Sequence, residues 1–105
     1  MSVDITPAER AGAHVLLLTG ELDIAEVPTL EAAVDRVLGE GTTGITIDLR
    51  QLEFIDSSGL AAIVHVSGLC AKRGHDFELI AGRPEVQRLF EITGLSGVLP
   101  FRAAA

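Results

Sequence analysis

A chain of 105 residues, 48% of them hydrophobic, has material for one core and no room for a second, so residues 1–105 are predicted to form a single domain with its core from about 3 to 101. Eight Lys and Arg against 15 Asp and Glu leave a net charge of −7, which argues against direct binding to nucleic acid or anionic lipid and favours a protein partner with a basic face. No apolar run nears the ~20 residues of a membrane span, MSVDITPAER lacks the basic start and apolar stretch of a signal peptide, and Cys70 is alone, all of which fits the cytoplasm.

In chain order, VDITPAE and HVLLLTGEL read as two strands joined by the turn RAGA, with Gly12 relieving the backbone at its tip. Leu30, Ala33, Val34, Val37 and Leu38 then recur on one face of a helix that Pro28 opens and Gly39 and Gly41 end. GITIDLR gives a β-branched third strand, Gly44 to about Leu49. In the second helix Leu60, Ile63, Val64, Ser67 and Ala71 are expected to share the inward face, and Gly74 to stop it. DFELIAG is a fourth strand. RPEVQRLFEITGL is a third helix with Pro84 near its start, Val86, Leu89, Phe90 and Thr93 inward, Gly94 at the C-cap and Leu95 placed for the apolar contact that follows it. VLPF offers a short edge strand terminated by Pro100, and RAAA a frayed tail. The fold class is α/β: a mixed, mostly parallel sheet of four to five strands with about three helices packed on it.

The segment FIDSSGLAAIVHV places Asp56-Ser57-Ser58-Gly59 between two apolar segments. It does not make a hydrolase. The G-x-S-x-G pattern of a nucleophile elbow is missing, and His65, seven residues after Ser58, lies ~10 Å along the helix, beyond the ~3 Å reach of a base. His14, His65, His75 and Cys70 share no spacing typical of zinc ligands, so no metal and no cofactor are expected. GEGTTG runs from helix to strand and lacks the lysine of a phosphate loop, so it is a connection.

Two readings of the motif remain. In one, Asp56, Ser57 or Ser58 caps the helix, contributing about 1 kcal/mol, and Gly59 permits close packing. In the other, a serine at an exposed helix start is a switch. Phosphorylation adds ~1.5 to 2 negative charges, partly stabilised by the helix N-terminus, and a packed partner would meet a hydrated dianion.

ITIDLRQLEFIDSSGLAAIV resembles the signature of STAS domains, specifically bacterial anti-sigma factor antagonists, with GELDIAEVPTLEAAV and RPEVQRLFEITGL similar to their second-strand loop, first helix and third helix. The resemblance runs from about Val3 to Phe101. It implies binding to an anti-sigma factor with serine kinase activity, which frees a sigma factor; phosphorylation by that kinase ends the binding, and a metal-dependent phosphatase restores it. The family's acceptor corresponds to Ser58, with Ser57 as the fallback. Asp23 matches an acidic position beside the acceptor and Asp56 the acid opening the motif, while Gly59, Leu60 and Val64 lie on the helix presented to the kinase. Ala61 and Ala62 stand where many relatives have glycine nearby. The alternative implied by the same resemblance is an unphosphorylated accessory subunit of a lipid-transport ATPase or of a larger sensory complex.

Overall fold

The computed structural model describes residues 2–102. Its elements are β1 (Val3–Arg10), β2 (Ala13–Leu22), a 3-10 turn (Ile24–Glu26), α1 (Val27–Gly39), β3 (Gly44–Ile55), α2 (Ser57–Arg73), β4 (Asp76–Ile80), α3 (Pro84–Ile92) and β5 (Phe101–Arg102). The sheet order is β1-β2-β3-β4-β5, antiparallel between β1 and β2 and parallel thereafter, the mixed and mostly parallel sheet expected.

The hairpin closes on two residues, because Arg10 pairs with Ala13. Such a loop needs positive φ at both central positions to follow the strand twist, and it has them, 53° at Ala11 and 87° at Gly12. Glycine takes this conformation freely, whereas alanine does so at a cost.

Leu16, Ile47, Leu79 and Phe101 stand in one row across β2 to β5. Into that face α1 delivers Leu30, Val34 and Val37, α2 delivers Leu60, Ile63, Val66 and Cys70, and α3 delivers Val86 and Phe90. All of these apolar groups belong to one core cluster, with Phe90 meeting Phe101 edge to face at 5.0 Å. The next row, Thr6, Leu17, Asp48, Ile80 and Arg102, lies on the opposite face. There Arg50 grips the buried Asp48 through Nη2–Oδ2 at 2.7 Å and Nε–Oδ1 at 3.1 Å.

Four expectations are corrected. β3 continues to Ile55; beyond Asp48 it pairs with β2 alone, and register shifts between Leu17 and Thr19 and between Gly20 and Glu21 break the alternation that marks a strand. The inward face of α2 is Gly59, Leu60, Ile63, Val66 and Cys70, so Val64 and Ala71 are exposed and Ser67 half-buried. Thr93 is exposed, its hydroxyl donating to the Leu89 carbonyl at 2.8 Å. Pro100 precedes the last strand instead of ending it, and Arg102 belongs to β5; residues 103–105 of the expected tail lie outside the described residues.

The glycine signals hold. Gly94 has φ 78°, with its N–H on the Glu91 carbonyl and the N–H of Leu95 on that of Phe90 at 2.8 Å, which satisfies two end carbonyls of α3.

Candidate functional site

Because β2 and β3 are parallel, their carboxyl ends lie side by side. Leu22 is opposite Ile55, and the Asp56 N–H donates to the Leu22 carbonyl at 3.3 Å. The next residue on each strand is an aspartate, and each serves the same local purpose. Asp23 accepts from the Glu26 N–H at 3.2 Å and starts the 3-10 turn, while Asp56 accepts from the Gly59 N–H at 2.9 Å and starts α2. A carboxylate there satisfies one of the donors that the first turn of a helix leaves without an acceptor.

The cap is therefore Asp56, which leaves the serines without that task. Ser57 is exposed and Ser58 half-buried, and among the described residues neither hydroxyl makes a hydrogen bond. Gly59 lets the two strand ends and the helix start meet. A Cβ on it would stand 2.5 Å from the Leu22 carbonyl oxygen and 2.9 Å from Leu22 Cγ, closer than any side chain tolerates. The β2 end is tied from the other side as well, since the Val3 N–H donates to Glu26 Oε1 at 2.7 Å and the Glu21 N–H to the Ser2 carbonyl at 3.0 Å.

Ser58 stands on the lip of a shallow groove of about 460 Å³. One wall is Ile24, Val27 and Pro28 from the β2–α1 corner; the other is Ala61, Ala62 and His65 from α2. The two alanines keep it open, and Ile24, 72% exposed, presents an apolar side chain to solvent at its head. Glu31 is the acid in its lining, and it contains no Lys or Arg. Ser58 and His65 share the groove without a hydrogen bond between them.

Of the residues the sequence singles out, Asp23, Asp56, Ser57, Ser58 and Gly59 are gathered at this corner. Leu60 is only 5% exposed and belongs to the core, its neighbours Ala61 and Ala62 facing the groove instead. Val64 is 38% exposed and outside the groove lining. Sequence reasoning missed Ile24, Pro28 and His65. An isoleucine just after a capping aspartate, in the short polar link DIAE, is the signal that marks the first of them. Chemically the corner offers an unengaged primary hydroxyl at a helix start, able to take a phosphoryl group that would sit at the mouth of an apolar surface.

Residues 5–100 match the family model described as Mlab, STAS domain. The anti-sigma-B factor antagonist of Staphylococcus aureus (strain NCTC 8325 / PS 47) is 27% identical over 99 residues, covering 94% of this chain and 92% of that one. That of Listeria monocytogenes is 28% identical over 103 residues, covering 97% and 90%. Among solved structures, an anti-sigma factor antagonist from Mycobacterium paratuberculosis superposes with a TM-score of 0.84 at 27% identity, covering 94% of this chain and 84% of that one.

Proposed function

Since this chain belongs to the STAS-domain family, we propose that it is a cytoplasmic anti-sigma factor antagonist, binding an anti-sigma factor that is also a serine kinase and releasing the sigma factor held by it. The kinase transfers the γ-phosphoryl of ATP to Ser58 Oγ, the hydroxyl proton is lost, and ADP leaves. A metal-dependent serine phosphatase hydrolyses the phosphoester and resets the protein. The chain itself acts as substrate and ligand, not as enzyme.

One observation carries this reading: Asp56 performs the helix cap, so Ser58 stays free on the lip of an apolar groove. Unphosphorylated, that corner is a surface on which a partner can exclude water. With a phosphate there, the partner would have to desolvate a dianion that Asp23 and Asp56 already crowd with like charge, and no Lys or Arg lines the groove to offset it. The names of the Staphylococcus and Listeria relatives support the same assignment.

The test is phosphate transfer from labelled ATP in a lysate of the organism that encodes the chain, comparing wild type with Ser58→Ala and mapping the label by mass spectrometry. Label on Ser58 that the variant lacks is the expected result. Label on Ser57 would move the acceptor by one residue. No label beside a working control substrate would replace the switch with the unphosphorylated accessory subunit.

A further inference from the structure

The groove beside Ser58 continues past His65. Along the seam between α1 and α2 it runs next to Glu31 and Asp35 and ends at Val66 and Leu69. From Ser58 to Leu69 the seam follows about three turns of α2, or ~16 Å at 1.5 Å per residue. Its two walls differ. The α2 side is mainly apolar, Ala61, Ala62, Val66 and Leu69 with His65 among them, whereas the α1 side carries Glu31 and Asp35 one turn apart. Among the described residues neither acid meets a cation.

Resting on the antagonist reading, we infer that this seam seats an α-helix of the anti-sigma factor, amphipathic and basic, of about three turns. Its apolar anchors recur at i, i+3 or i+4, and i+7 over the α2 wall, and its Lys or Arg side chains lie over Glu31 and Asp35. A helix fits because both walls are helices whose backbone groups are already paired, so an extended segment would find no ladder to join and would bury unpaired N–H and C=O groups. A helix brings its own backbone bonds. The charge selects the occupant further: a second copy of this chain, at −7, or an anionic lipid or nucleic acid surface would be repelled by the acidic wall. The phosphoacceptor corner then covers one end of a longer contact, and charge at Ser58 lifts that end.

The experiment uses the purified full chain and the purified anti-sigma factor encoded in the same genome. Glu31→Lys with Asp35→Lys is expected to weaken binding about tenfold or more by turning attraction into repulsion, while the control pair on α3, Glu85→Lys with Glu91→Lys, changes it less than about twofold. A photo-crosslinking residue placed at Ala61 or at Gly68, where added atoms meet open space, is expected to mark two sites about seven residues apart on one Lys- or Arg-rich helix. Undiminished binding by the Glu31/Asp35 variant overturns the inference, as do crosslinks from Gly68 to an extended segment, to another copy of this chain, or to nothing while Ala61 crosslinks. If Ser58→Asp weakens binding and the seam variant does not, the antagonist reading stands and only the seam falls. If wild type does not bind the anti-sigma factor at all, both fall.

Discussion

Two glycines in α2 should respond to alanine with opposite signs. At Gly68 a Cβ meets nothing within 4 Å, so Gly68→Ala gains the helix propensity that glycine lacks, up to about 1 kcal/mol. At Gly59 the same methyl stands 2.5 Å from the Leu22 carbonyl oxygen, 2.9 Å from Leu22 Cγ and 3.0 Å from Ile55 Cγ1. The first of these is backbone in a paired strand and cannot swing away, so the start of α2 has to move. Overpacking of this kind costs about 1–3 kcal/mol. The shift also strains the Asp56 cap, 2.9 Å to the Gly59 N–H, at a further ~1 kcal/mol. Against a propensity gain smaller than that at mid-helix, Gly59→Ala should lose about 2–3 kcal/mol, or a fall in Tm of roughly 10–20 °C for a domain of this size. Thermal and urea unfolding of the two variants side by side is the assay. If Gly59→Ala is as stable as Gly68→Ala, the close approach that builds the corner is wrong.

Ala11 holds φ 53° in the hairpin, so Ala11→Gly should raise stability by about 1 kcal/mol; an unchanged or lower urea midpoint would contradict the two-residue turn. Burial alone would raise the Asp48 pKa, but the Arg50 hydrogen bonds and charge, with Arg102, outweigh it and hold the carboxyl below its ordinary value. A depressed folded pKa contributes stability above the unfolded value of ~3.9 and loses it as pH falls through the folded one. Asp48→Asn should therefore be less stable at pH 7 and show a flatter acid limb below about pH 4, and parallel stability profiles for the two proteins would refute this. Ile24→Lys, at a 72% exposed position, should leave stability within about 0.5 kcal/mol and weaken binding to the anti-sigma factor. Leu60→Lys should instead lose the folded state by burying a charge, which circular dichroism separates from a binding defect.

The elements most legible in the sequence were those where local chemistry and tertiary packing agree. Gly12, Gly74 and Gly94 end elements where positive φ is required, and the Leu30, Val34, Val37 stripe of α1 is the face it buries. The second half of β3 was hidden because Arg50–Ile55 has a partner on one side only and its alternation is broken by register shifts. In α2 apolar residues lie on several sides of the helix, so a spacing that put Val64 on the inward face fitted the sequence as well as one with Val66; packing against the sheet selects Val66. The motif pointed to the corner, but three adjacent residues were all competent caps, and only the hydrogen bond from Gly59 to Asp56 assigns the cap and leaves Ser58 unengaged. The groove was not legible, since Ile24 and His65 are far apart in sequence and come together only when α1 packs on α2.

The most direct test of the account is the affinity of the anti-sigma factor for the full chain carrying phosphoserine at position 58, measured by calorimetry against the unmodified chain. Like charge and the desolvation of a dianion within the contact cost several kcal/mol, so phosphorylation is predicted to weaken binding by about a hundredfold or more. Equal affinity of the two forms would contradict the claim that Ser58 is the switch.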